Sequence, residues 1–64
     1  MFDLETMRFR RERLGISKSA LAREAKMHVS TVSQIETGRL VPYPAQVAKL
    51  EKALTRLEKE AGLE

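Results

Sequence analysis

The side chains of this chain that could form a serine–histidine catalytic site are those of four serines and one histidine. They are Ser17, Ser19, Ser30, Ser33 and His28. A serine nucleophile needs a histidine base that a carboxylate orients, and no carboxylate is spaced to orient His28. The chain has no cysteine and a single histidine, which leaves neither thiolate nor multi-histidine metal ligands. We therefore expect no enzyme activity, no metal and no cofactor.

A different chemistry is suggested by residues 29–37, where one residue in nine is charged, against 33% in the whole chain. Outward positions at helical spacing hold short or neutral side chains: Ser30, Ser33, Gln34 and Thr37. Such a face can approach base edges in a DNA groove about 12 Å wide, where the amide of Gln34 can pair with adenine. Val29 or Thr31 can touch a thymine methyl group. The alternative is an ordinary solvated face, which usually carries Lys and Glu.

The basic residues exceed the acidic ones mainly in the first two thirds of the chain. Residues 8–39 contain eight basic and three acidic side chains, whereas residues 49–64 contain four of each. A polyanion is therefore expected to bind within residues 8–39. No apolar run is long enough for a membrane span, and the first residues lack the build of a signal peptide. We expect a cytoplasmic protein with no membrane partner and no small-molecule ligand.

Helical spacing of apolar residues extends over nearly the whole chain, and strand-like alternation is absent. Capping residues, glycines and prolines mark the ends of four or five helices. The predicted helices run from Asp3 to Gly15, from Ser17 to about Ala25, over residues 29–37 and over residues 44–61. The sequence therefore predicts one all-α domain over residues 1–64.

Two of these helices, within residues 15–38, are joined by a three-residue break and must cross steeply. Crossing helices need a small residue where they meet, and Ala22 provides one. They also need apolar side chains between them, which are Leu21, Ala25, Met27, Val32 and Ile35. This arrangement, over about residues 17–37, is a helix-turn-helix, whose second helix can enter the major groove of DNA.

Several short motifs occur together along this segment. They are Arg11 four residues before Gly15, Gly-Ile-Ser from Gly15, Leu21-Ala22, Ser-Thr-Val-Ser-Gln-Ile-Glu-Thr-Gly ending at Gly38, and Pro42. Together they resemble the lambda-repressor/Cro-like (XRE-type) helix-turn-helix family over about residues 7–54. The resemblance implies a four- to five-helix DNA-binding domain.

Three residues depart from the family pattern. Lys26 replaces the glycine usual in the turn, and a positive φ at a non-glycine residue there costs about 1 kcal/mol. His28 replaces the usual small hydroxyl cap of the third helix, and Lys18 replaces the glutamine often found first in the second helix. The base preferences of the family therefore do not transfer to this chain.

Candidate phosphate contacts flank the third helix. Ser17 and Lys18 lie at the start of the second helix, where free N–H groups and the helix dipole favour an anion. Arg39 and Tyr43 correspond, by the resemblance, to the second phosphate-contacting segment of the family. Arg10 is a further candidate. The alternative is that these side chains are merely solvated.

We also expect a structural ion pair between Arg11 and Glu36. Glu36 lies in the last turn of its helix, where the dipole disfavours an anion. Arg11 lies on the inward stripe of the first helix, where an unpaired charge would be costly. The family carries both positions.

The last helix is the candidate dimer contact. Val47, Leu50, Leu54, Leu57 and Ala61 follow a 3-4-3-4 spacing, which forms one apolar stripe. The first three match core positions of the family, so Leu57 and Ala61 are expected to lie beyond the core and to contact a second copy. The alternative is that the residues after Leu57 fray in solution.

These observations favour a small homodimeric transcriptional regulator, with repression as the favoured mode, that binds a two-fold site on double-stranded DNA. An antitoxin or a restriction-modification controller of the same fold would have the same sequence features. A protein-interaction module that does not bind DNA is the rival from another class. RNA binding is a weaker alternative because the chain has no aromatic stacking platform.

Overall fold

The computed structural model describes residues 3–63, except for the side chain of residue 4. These residues form four helices. They are α1 (Leu4–Arg13), α2 (Lys18–Ala25), α3 (Val29–Glu36) and α4 (Pro44–Glu60). No strand is present among these residues, so the predicted all-α class is confirmed. The third helix ends one residue earlier than predicted, at Glu36. None of the helices within residues 3–63 is long and apolar enough to cross a membrane.

The helix starts follow from local capping. The Asp3 carboxylate accepts a hydrogen bond from an N–H of the first turn of α1, and the Ser17 hydroxyl accepts one from α2. Pro44 occupies the first turn of α4, where its missing N–H has no intrahelical partner to lose. The side chain of His28 makes no capping hydrogen bond to α3, which confirms that it is a poorer cap than the usual hydroxyl residue.

The end of α2 shows the strain that the sequence predicts at Lys26. Its φ is 57°, the one positive φ at a non-glycine residue within residues 3–63. The Lys26 N–H donates to the Arg23 carbonyl oxygen at 3.2 Å, and the Met27 N–H donates to the Ala22 carbonyl oxygen at 2.8 Å. These two hydrogen bonds form a Schellman motif, in which the left-handed position is usually glycine.

The core is built from one apolar stripe of each helix. Its buried members are Met7, Leu21, Ala22, Ala25, Val32, Ile35, Leu50, Ala53 and Leu54. Ala22 is buried in the crossing of α2 and α3, as expected. Leu57 is half-buried and packs against this core. The expectation that Leu57 lies beyond the core is therefore wrong, whereas Ala61 is exposed.

The packing places α3 and α4 on opposite sides of the domain. Both α1 and α2 pack against α3 and against α4, whereas α3 and α4 share few contacts. A surface of α4 that faces away from the core therefore also faces away from α3. This separation matters because the two helices carry different exposed surfaces.

We expect Lys26→Gly to raise the free energy of unfolding by about 0.5–1 kcal/mol, because glycine adopts the left-handed conformation without steric cost. Urea unfolding measures the change. Lys26→Ala is the matched control: it removes the same charge but keeps the Cβ atom, so its free energy of unfolding should rise little. Equal gains from both variants would mean that the charge, and not the backbone, destabilises this turn.

Candidate nucleic-acid interface

The five predicted base-contacting residues lie on the solvent side of α3. They are Val29, Ser30, Thr31, Ser33 and Gln34; Thr31 and Ser33 are half-buried and the other three are exposed. Val32 and Ile35 occupy the opposite side of the helix and are fully buried. This division gives α3 one apolar face that holds it in the core and one polar face that is free to meet a ligand.

The exposed face of α3 carries no charge. Its single charged residue, Glu36, turns its carboxylate to Arg11 of α1. Thr37 follows the last helical residue, and its hydroxyl donates to the carbonyl oxygens of Ser33 at 3.0 Å and Gln34 at 3.2 Å. Within residues 3–63 no hydrogen bond engages the amide of the Gln34 side chain. The amide is therefore available to pair with a base edge.

The predicted ion pair between Arg11 and Glu36 is present and bidentate. Arg11 Nε donates to Glu36 Oε2 at 2.6 Å, and Arg11 Nη2 donates to Glu36 Oε1 at 3.0 Å. The side chains are 10% and 2% exposed. The hydrogen bond to Glu36 raises the pKa of the Arg11 guanidinium above its usual value, so Arg11 stays charged.

Arg11 also holds the start of α2. Its Nη1 donates to the Ile16 carbonyl oxygen at 2.8 Å. One guanidinium therefore connects α1, the loop before α2 and the end of α3. This arrangement sets the position of α3 relative to the cationic start of α2.

The start of α2 borders a small notch. Lys18 lines it together with Arg8, Arg11, Glu36 and Thr37, and the notch has a volume of about 120 Å³. Arg8 was missed by the sequence analysis, although its spacing of three residues from Arg11 places both on the same side of α1. The Ser17 hydroxyl accepts its capping bond but keeps a hydrogen to donate. The notch therefore brings together three cations, of which Arg8 pairs with Glu12 and Arg11 pairs with Glu36.

The end of α3 positions a second cation. Gly38, with φ of 78°, allows the chain to turn back. The Arg39 N–H donates to the Gln34 carbonyl oxygen at 2.9 Å, so the exposed Arg39 side chain leaves from the last turn of α3. Tyr43 is 69% exposed in the loop that follows. Lys18 from the start of α2 and Arg39 therefore both lie near the end of α3.

The structure corrects the expectation that Arg10 contacts a phosphate. Arg10 Nε and Nη2 donate to the Glu58 carboxylate at 2.9 and 2.8 Å, and Nη1 donates to Glu51 at 2.8 Å. The hydrogen bond from Arg10 lowers the pKa of Glu58. The Arg10 guanidinium therefore joins α1 to α4 and is neutralised within the protein.

The helices α2 and α3 are separated by three residues and pack against each other. With the neutral polar face of α3, this arrangement defines a helix-turn-helix domain, a class that binds DNA. Residues 5–61 match the family described as Helix-turn-helix domain, and the chain belongs to that family. The match is consistent with the resemblance to lambda-repressor/Cro-like proteins. No curated protein and no solved structure matches the chain significantly.

We expect Glu36→Gln to lower the free energy of unfolding by about 3–5 kcal/mol, because it leaves the Arg11 charge without its partner in a nearly dry site. Urea unfolding, or loss of the helical circular dichroism signal, measures the change. Glu12→Ala is the control, since it removes an exposed ion pair with Arg8 and should cost less than about 1 kcal/mol. Similar losses in the two variants would show that the Arg11–Glu36 pair is no more important than a surface pair.

Proposed function

We propose that the protein is a homodimeric transcriptional regulator that binds double-stranded DNA at a two-fold site, with α3 of each subunit in the major groove. The observation that carries this proposal is the uncharged, exposed face of α3, with the cations Lys18 and Arg39 near its C-terminal end. A helix that enters a groove needs short side chains on its leading face and cations where the flanking backbones pass. Repression follows when the bound dimer blocks access to the DNA it covers.

The phosphate contacts divide into two groups in this proposal. Ser17 and Lys18, with Arg8 beside them, meet the backbone at the start of α2, where the helix dipole adds to the attraction. Arg39 and Tyr43 meet the backbone on the other side of the groove. These contacts set the register of α3, and the side chains of α3 then discriminate between bases.

The base contacts centre on Gln34. Its amide can donate one hydrogen bond to and accept one from adenine in the major groove, while Ser30 and Ser33 are short enough to let the helix approach. Val29 and Thr31 carry methyl groups suited to thymine. Selection of bound sites from a random duplex pool tests this proposal: it should return a two-fold sequence that contains A·T pairs in each half-site.

We expect Gln34→Ala and Lys18→Ala to weaken DNA binding in different ways. Loss of the amide–adenine pair should cost about 1–3 kcal/mol on the selected site and little on random duplex. Loss of the lysine should weaken both duplexes alike and reduce the slope of log K against log salt by about one unit. Titrations at several salt concentrations, with Thr55→Ala of α4 as the control, measure both effects. Equal losses for Gln34→Ala on the two duplexes would refute its role in base recognition.

The proposed dimer uses the end of α4. Ala61 and Leu63 are exposed there and Leu57 is only half-buried, so a second copy can cover what the core leaves open. A two-fold contact at this end would set the two α3 helices about 34 Å apart, one turn of DNA.

We expect the wild-type protein to sediment as a dimer at high micromolar concentration and Ala61→Glu to sediment as a monomer, because each copy would bury a carboxylate against the other. Ala48→Glu is the matched control: it makes the same substitution at an exposed alanine of α4 and should leave the dimer intact. A monomeric wild type, or an unaffected Ala61→Glu dimer, would exclude this contact.

A further inference from the structure

The outward face of α4 carries four cations that the proposed DNA contacts do not use. Lys49, Lys52, Arg56 and Lys59 follow a 3-4-3 spacing, which places them in one row along the helix. All four are exposed. Their ten-residue separation corresponds to about 15 Å along the axis. We call this row the α4 basic stripe.

The acidic residues of α4 do not neutralise the stripe. Glu51 and Glu58 turn to Arg10 of α1. Within residues 3–63, the three lysines of the stripe form no ion pair, and Arg56 pairs with Glu24 of α2 at 2.9 Å. Glu60 is the remaining described carboxylate on α4, and it is exposed at the edge of the stripe. A strongly positive surface therefore remains on the side of the domain opposite α3.

A groove runs between this stripe and the end of α2. It has a volume of about 280 Å³, and Lys26, Lys49, Lys52 and Arg56 line it together with two buried alanines, Ala25 and Ala53. The Glu24 carboxylate lies in the same groove and bonds Arg56. The groove thus offers cations at separate points beside small apolar side chains. One of these cations, Arg56, already pairs with a carboxylate, that of Glu24.

This combination favours a peptide over a nucleic acid. The phosphates of a duplex form a continuous line of negative charge, which would meet the carboxylates of Glu24 and Glu60 as well as the cations. A helical peptide can place its carboxylates opposite the cations, and small side chains let it approach the groove closely. A 3-4-3 spacing of glutamates on such a helix matches the spacing of the stripe.

We infer that the α4 basic stripe is a docking surface for an acidic amphipathic helix of a partner protein. The partner helix lies along α4 with its carboxylates paired to Lys49, Lys52 and Lys59. Because α3 and α4 lie on opposite sides of the domain, this contact leaves the DNA face open.

The test uses two labelled helical peptides of about 16 residues. The first carries four glutamates in a 3-4-3 row beside alanines and leucines, and the second has the same composition with the glutamates distributed around the helix. Fluorescence anisotropy at about 150 mM salt measures binding, since this salt screens distant charges. Binding of a random duplex is measured in parallel.

Two double variants, each of which removes two positive charges, distinguish the contribution of the α4 basic stripe from that of the DNA face. Lys52→Gln/Lys59→Gln alters the stripe, and Lys18→Gln/Arg39→Gln alters the DNA face. The stripe variant should lose at least about five-fold in affinity for the first peptide and keep its affinity for the duplex within about two-fold. The DNA-face variant should show the reverse.

Three results would overturn the inference. The first is equal binding of the two peptides by the wild type, which would mean attraction without a matched surface. The second is failure of the first peptide to bind at millimolar concentration. The third is a loss of duplex affinity in the stripe variant as large as in the DNA-face variant, which would assign the stripe to nucleic acid.

Discussion

The structure depends on the connection that Arg11 makes between three separate segments. The guanidinium bonds Glu36 at the end of α3 and the Ile16 carbonyl oxygen before α2, while its own helix, α1, packs against the core. A buried ion pair is not in itself more stabilising than a well-packed apolar contact, but breaking one is costly. Its geometry is also strict, because a bidentate pair tolerates only one orientation of the two planar groups. The short α3 is therefore held at one angle to α2, and that angle sets the orientation of the exposed face of α3.

The ion pairs that Arg10 and Arg11 of α1 form determine which charges remain unpaired on the surfaces of α3 and α4. A free Glu36 carboxylate would add a negative charge to the surface at the end of α3, but the pair with Arg11 buries it. On the other side of α1, Arg10 binds Glu51 and Glu58 of α4. The carboxylates of Glu36, Glu51 and Glu58 are thus all paired with arginines of α1. As a result α3 presents a neutral face bordered by cations, and α4 presents a row of cations.

Local signals in the sequence were sufficient for most of the fold. Asp3 and Ser17 cap their helices, and the glycines at the helix ends adopt positive φ, because these effects depend on a few neighbouring residues. The partners of Arg10 could not be predicted, since they lie 41 and 48 residues away and depend on how α4 crosses α1. The burial of Leu57 depends on the same crossing. By contrast, the pair between Arg11 and Glu36 was predictable, because the family pattern and the helix dipole both point to it.

Lys26 shows how a locally unfavourable residue can be useful to the surface around it. Glycine would remove the backbone strain at φ of 57° and raise the free energy of unfolding by about 1 kcal/mol. It would also remove a cation. The Lys26 side chain lines the groove with Lys49 and Lys52 of α4. A lysine at this position therefore extends the α4 basic stripe across the groove to the end of α2. The strain in the turn and the positive surface of α4 then have one explanation, which is the recognition of an acidic helix.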